Sequence, residues 1–282
     1  MQQRLKNRSG SEVMQTDMQK RVRVAWLAIA SHAQAYDDMK SHMLRHLRAA
    51  EDAGLDLVPK FLYGGAPDKG KAAAHELDAV YTEVRECLVP GVLQKTLAAL
   101  REVTSDDSPP PDFVIRTNLS TWFHWDKLAE YLAHAPRSSL AAGYSPGHSH
   151  LCGCCMVLSL DVARWLARYN GYDESLIDDL AFAEAFRALG VRFAWIPRID
   201  ILQHHIVGMG NELGMNPLDA FQYRIKSCCG GERDDRGVQD PVVMRALTDA
   251  YASGERDPDR LLRGCIEAVA AAADAADAAD AE

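Results

Sequence analysis

The sequence predicts a single α/β domain, with a mostly parallel central sheet flanked by helices, and three observations carry that expectation. The first ordered segment, VRVAWLAIA (Val22 to Ala30), is a nearly unbroken apolar run, the pattern of a strand covered on both faces. A helical pattern and a second apolar run follow, which makes a β-α-β opening with a right-handed crossover. Strand-like and helix-like segments then keep alternating, which favours one α/β body over separate all-α and all-β parts.

Residues 1–20 carry no apolar periodicity and are expected to form a disordered arm ahead of a domain over 21–266 and a low-complexity tail over 267–282. In DDMKSHMLRHLRAAEDAG, Met39, Met43, Leu44 and Leu47 recur at helical spacing and Gly54 stops the run. LVPKFLYGG (Leu57 to Gly65) is the second strand, and APDKGKAAAHE a polar loop. A helix from about Pro90 to Val103 places Val92, Leu93, Leu97 and Leu100 on one face before SDDSPPPD resets the chain. A third strand over Phe113 to Ile115 runs into a polar turn. DKLAEYLAHA is a short helix, CMVLSLDVARWLARY a strand leading into a helix, DDLAFAEAFRALG a helix closed by Gly190, and VRFAWIP a further strand. PVVMRALTDAYASG and DRLLRGCIEAVAAAA read as helices, and the AADAADAAD repeat, rich in the best helix former, as a solvated extension.

Composition narrows the function. The net charge is −9, the opposite of the basic stripe a nucleic-acid binder carries. No apolar run reaches the roughly 20 residues that span a bilayer, and the basic N-terminus lacks the apolar core of a signal peptide. The expected location is the cytoplasm, a reducing compartment. The seven cysteines, among them Cys152, Cys154, Cys155 and the adjacent Cys228 and Cys229, are then free thiols. Their spacing lacks the paired C-x2-C form of ordinary zinc sites, so small apolar fillers are the favoured reading and a zinc-stabilised interaction protein the remote one.

Several polar residues stand where strands meet turns. Arg116, Asn118 and Ser120 follow an apolar strand, the place of a diphosphate-facing loop, although asparagine and serine also build ordinary turns and Arg116 equally suits a structural ion pair. Gly153 allows a ligand close to the backbone. Asp178 and Asp179 begin a helix, either as a simple N-cap pair or as carboxylates facing a crevice. His204 and His205 follow the strand-like VRFAWIPRIDI, where one of them could ligate a metal, and a structural histidine is the competing reading. Arg224 and Lys226 either grip phosphate or are solvated charges. Lys95 either joins the site or snorkels along its helix, and Trp122, Phe123 and Trp125 either stack on a sugar or pack in the core.

The order of these pieces resembles the galactosyltransferase and fringe-type glycosyltransferases, and RTNLSTW in wording is similar to small glycosyltransferase domains of large algal DNA viruses. VYTEVRECLVPGVLQKTLAAL resembles the helix that carries a Lys-Thr pair (Lys95-Thr96) ahead of the strand and Asp-x-Asp motif, whose place DFVIRTNLSTWFHWDKL takes. CGCCMVLSLDVARWL resembles the glycine, strand, Leu-Ser and helix block, and IDDLAFAEAFRALGV the acidic pair and helix that supply the base. The resemblance implies a GT-A fold and transfer of a sugar from a nucleoside-diphosphate donor, a UDP-sugar, to a glycan or other acceptor hydroxyl with inversion. Asp179 would be the general base with Asp178 beside it, Lys95, Arg116, Asn118, Ser120, Gly153, Arg224 and Lys226 would bind the donor, and His204 or His205 a metal. The resemblance also implies Mn²⁺ or Mg²⁺, but Asn118-Leu119-Ser120 replaces Asp-x-Asp and offers only neutral oxygens. Arg116 and other basic groups would then meet the diphosphate charge, and a donor binder without catalysis is the alternative.

Overall fold

A computed structural model describes residues 21–32, 34–65, 79–106, 109–202, 206–209, 214–226 and 236–280. The N-terminal arm, the polar loop 66–78, His204, His205, Cys228 and Cys229 lie outside the described residues. The chain folds as an α/β body around a seven-stranded sheet in the order β3-β2-β1-β4-β7-β6-β8. Its strands are β1 (Val22–Ile29), β2 (Leu55–Gly64), β3 (Ala79–Thr82), β4 (Phe113–Asn118), β6 (Ala141–Gly143), β7 (Cys155–Ser159) and β8 (Phe193–Trp195). Adjacent strands run parallel except where β7 meets β4 and β6, so the sheet is mostly parallel, as expected.

The apolar run of β1 is continuous because both its faces are covered, and its period of two assigns each residue to a face. Val24, Trp26 and Ala28 join the core cluster that contains Met39, Met43 and Leu47 of helix α1 (Gln34–Asp52). Ala25 and Leu27 join the opposite cluster, with Leu93, Leu97 and Leu100 of α2 (Gly91–Val103), Val162 and Leu166 of α4 (Leu160–Arg168), and Phe182 and Phe186 of α5 (Asp178–Leu189). Gly190 closes α5 at φ 72°, the left-handed conformation that glycine adopts without steric cost.

A second, four-stranded sheet, absent from the sequence expectations, has the order β10-β9-β11-β5. It comprises β5 (Thr121–Phe123), β9 (Arg198–Ile201), β10 (Ile206–Met209) and β11 (Gln222–Ile225). The segment VRFAWIPRIDI is therefore two strands in two sheets: β8 ends at Trp195, and Pro197, which has no N–H for a ladder, separates it from β9. Alternation divides this small sheet sharply. Ile199, Ile201, Tyr223 and Ile225 enter the core, while Arg198, Asp200, Gln222 and Arg224 share the other face.

Trp122, Phe123 and Trp125 are fully buried at the joint between this sheet and α3 (Trp125–His134), which settles them as core rather than as a sugar platform. His46 of α1 stacks on Trp122 with ring centroids 4.5 Å apart, and its Nε2 lies 2.6 Å from the Phe123 carbonyl oxygen. Trp125 Nε1 in turn donates to the His46 carbonyl at 2.9 Å. Helices α6 (Arg236–Ala252) and α7 (Pro258–Asp280) close this side, where Tyr251 meets Trp122 edge-on. The alanine repeat continues α7 as helix. No helix among the described residues is long and apolar enough to cross a membrane.

Burial pulls His46 down to about 3, against the weaker raising effect of its bond to Phe123. Its folded value lies below the unfolded one, so the unfolded chain takes up a proton first and stability is lost as the pH falls below about 6.5. Relative to His46→Leu, the wild type should lose about 2 kcal/mol between pH 7 and pH 5 in urea unfolding. A difference between the two proteins that does not change with pH would contradict a neutral, buried His46.

Candidate functional site

Strand order locates a crevice before any side chain is considered. From β1 the chain steps outward to β2 and β3, then returns to β4 on the other side of β1. The point between β1 and β4 is thus a topological switch, and a crevice opens there beyond the carboxyl ends of the strands. A cavity of about 500 Å³ occupies this position, with Ile29 and Ala30 at the end of β1 and Arg116 and Asn118 at the end of β4 in its wall.

Strand β4 extends past Ile115 to Asn118, so Arg116 and Asn118 are strand residues and not part of a turn. The extension is possible because Arg116, on the same face as Val114, finds a partner instead of solvent. Its guanidinium pairs with Asp178 in a short contact, and both side chains are almost fully buried. Arg116 Nη1 also donates to Asn118 Oδ1 at 3.1 Å. The amide oxygen is therefore engaged by a cation, Leu119 is buried in the core, and Ser120 is nearly buried at the cavity wall. At the position of the Asp-x-Asp motif the chain therefore offers no carboxylate, and the Asn118 amide oxygen is already engaged by Arg116.

Asp178 and Asp179 do not cap α5. The N-cap is Ile177, with no side-chain capping bond, and the two aspartates are the first residues of the helix. Their environments differ although they are neighbours. Asp178 is neutralised by Arg116. Asp179 accepts the backbone N–H of Gly153 and lines the cavity, and it is raised to about 6 by burial first and then by the Asp178 charge, against the lowering influence of Arg116 and Gly153. A carboxyl group in this state releases its proton near neutrality.

The loop carrying Cys152, Gly153 and Cys154 is pinned over these carboxylates. Thr117 and Thr121 hydroxyls both donate to the Cys154 carbonyl, at 2.7 and 2.9 Å. Cys152 N–H donates to the Tyr144 carbonyl at 2.8 Å. A Cβ on Gly153 would stand under 3.0 Å from Asp179 Oδ1 and from Arg116 Nη1, which explains why this position is glycine. Arg198 Nη1 reaches Cys154 Sγ at 3.3 Å and is itself paired with Asp200. The Cys152 thiol is drawn down by its hydrogen bond with Cys154 and by Arg198 and Arg224, and Cys154 is pushed up by the same bond and by burial.

Of the other residues singled out from sequence, Arg224 and Lys226 line the cavity, Arg224 lying 3.6 Å from Asp200. Lys95 neither snorkels nor reaches the cavity. It is 1% exposed and donates to the Ala30 carbonyl at 2.9 Å and to Glu86 Oε1 at 2.6 Å, while Glu86 Oε2 accepts from Gly64 N–H at 2.7 Å. Lys95 thereby ties the ends of β1 and β2 to the Glu86 segment, and burial lowers it while Glu86 raises it. His204 and His205 lie outside the described residues. Sequence reasoning passed over Tyr36, Glu86 and His150, because isolated residues in loops or on a helix give no periodic signal, and it weighed Cys152 only within the CGCC run, with apolar filling favoured over zinc. The HSHLC stretch, with histidine and cysteine two apart, was the available cue for His150 beside Cys152.

Replacing Gly153 by alanine should force the loop off Asp179 and Arg116. Overpacking of this kind costs about 1–3 kcal/mol. Denaturant unfolding of Gly153→Ala should show that loss, and unchanged stability would contradict the close approach.

No family model matches the chain, and no curated protein matches its sequence. Among solved structures, the chain is similar to the catalytic domain of Drosophila β1,4-galactosyltransferase 7, solved in complex with xylobiose, at 11% identity and a TM-score of 0.39. The match covers 62% of this chain and 64% of that one, so the chain spans less than two thirds of the structure it is similar to.

Proposed function

We propose that the chain is a glycosyltransferase that moves a sugar from a nucleoside-diphosphate donor, a UDP-sugar, onto an acceptor hydroxyl with inversion. One observation carries this reading: two adjacent carboxylates at a switch-point cavity, of which Asp178 is neutralised by Arg116 while Asp179 faces the cavity. Proton abstraction needs a carboxylate that is ionised at working pH yet holds a proton well once it has one, and Asp179 has that character.

The acceptor oxygen attacks the anomeric carbon, its proton passes to Asp179, and the bond from that carbon to the phosphate oxygen breaks, releasing the nucleoside diphosphate. The leaving charge is met by Arg224 and Lys226, with Arg116 also in the cavity lining. Because Asn118 Oδ1 already accepts from Arg116, no step is assigned to Mn²⁺ or Mg²⁺ at Asn118-Leu119-Ser120. The sugar would lie in the cavity that Gly153 and Asp179 both line, beside the pinned loop. The site's acidic half thus serves the acceptor and its basic half the donor.

The loss of carboxylates at the Asp-x-Asp position also favours a second reading, a donor binder without catalysis. One experiment separates the two: donor hydrolysis and transfer with a panel of nucleotide sugars, in chelator and with added Mn²⁺, for wild type and Asp179→Asn. Turnover of one donor in chelator, lowered about 100-fold or more by the substitution, is the expected result. Binding of a donor with no turnover under any condition would establish the binder, and absence of binding would remove the nucleotide-sugar reading altogether.

A further inference from the structure

His150, Cys152 and Asp179 each bring one ligand atom to a common point, all within 4.8 Å of one another. All three are only partly buried, and Cys152 and Asp179 line the switch-point cavity. We propose that this triad is a three-ligand site for a zinc-type divalent transition metal, with its fourth position open to the cavity. A nitrogen, a sulphur and a carboxylate oxygen form a donor set for zinc and its neighbours, whereas Mg²⁺ and Ca²⁺ take oxygen alone. Tetrahedral zinc bonds of roughly 2.0–2.3 Å put the ligands roughly 3.5 Å apart, a closure within reach of partly buried side chains.

Two features prepare the ligands. Ser149 Oγ lies 2.7 Å from His150 Nδ1 and 3.1 Å from the Pro146 carbonyl. With its proton on that carbonyl, the hydroxyl accepts from Nδ1–H, and the ring then offers its Nε2 lone pair to a metal, an arrangement metal-binding histidines characteristically use. The Gly153 N–H holds the Asp179 carboxylate in the same way from the other side. Charge is also balanced. A thiolate and a carboxylate neutralise a divalent ion; of the nearby cations, Arg116 is paired with Asp178, and Arg198 and Arg224 share Asp200.

The triad shares the cavity with Asn118 and Ser120 but uses other residues and a different donor chemistry. Its consequence for catalysis rests on the reading of Asp179 as the base: an ion on that carboxylate withdraws the lone pair that would take the acceptor proton, so the loaded protein is blocked. Occupancy itself does not depend on that reading.

The test uses the full-length protein, stripped with chelator, reduced, and titrated with Co²⁺ as a spectroscopic stand-in for zinc. One ion per chain should bind with tetrahedral visible bands and a sulphur-to-cobalt charge-transfer band, and Zn²⁺ should displace it. Cys152→Ser should remove the charge-transfer band, His150→Ala should weaken binding by more than about tenfold, and Cys265→Ser, which alters a buried thiol on α7, should leave both unchanged. No binding, or a spectrum indifferent to Cys152→Ser and His150→Ala, overturns the proposal. Co²⁺ binding at the triad in a protein that turns over no donor upholds the metal site and overturns only the transferase reading. Where turnover is present, Zn²⁺ should suppress it in the wild type and far less in His150→Ala, and equal suppression of both would overturn the blocking role.

Discussion

The buried pair of Arg116 and Asp178 is the contact on which the site depends. It joins the end of β4 to the start of α5. Without it, two adjacent aspartates would open α5 with no cation beside them, each disfavouring the other's charge. With it, one carboxylate is spent on structure and the other is left facing the cavity. A pair of this kind is weak evidence of net stability, because desolvation offsets much of the attraction, but removing one partner leaves an uncompensated buried charge and costs about 3–5 kcal/mol. The geometry explains the glycine as well: Gly153 sits where Arg116 and Asp179 leave no room for a side chain.

The rest of the architecture brings groups to that pair. The reversal of strand order beside β1 opens the crevice, and the charged face of the small sheet supplies Arg224 to its wall, with Asp200 beside it. Its apolar face is held by the aromatic joint of His46, Trp122, Trp125 and Tyr251, which fixes the second sheet against the first. Lys95 and Glu86 do the same service at the other wall, a buried ammonium and a carboxylate bracing the ends of β1 and β2. Core packing and site geometry are therefore one problem in this molecule.

Much of the fold was legible in the sequence because its central elements are repetitive. The apolar run of β1, the helical spacing in α1 and α2, and the Gly190 stop of α5 are local signals, and each element lies where its signal puts it. The second sheet was not legible, since its strands have three or four residues each and owe their existence to partners far along the chain, as Thr121–Phe123 does to Gln222–Ile225. Strand β3 was missed for the same reason. The length of β4 was underestimated because Arg116 reads as a turn residue unless Asp178 is known to be opposite. Within the site, Arg116, Asp178, Asp179, Gly153, Arg224 and Lys226 do assemble at one place, whereas Lys95 lies behind its wall and His150 enters it from a loop with no periodicity.

If the chain is a nucleotide-sugar transferase, the crevice between β1 and β4 should receive a nucleoside diphosphate. A crystal structure of the protein grown with UDP is the direct test. Density is expected in this crevice, with the diphosphate within hydrogen-bond reach of Arg224 or Lys226 and the position of the missing sugar beside Asp179. A diphosphate bound elsewhere, or a crevice that excludes UDP at millimolar concentration, would contradict that reading.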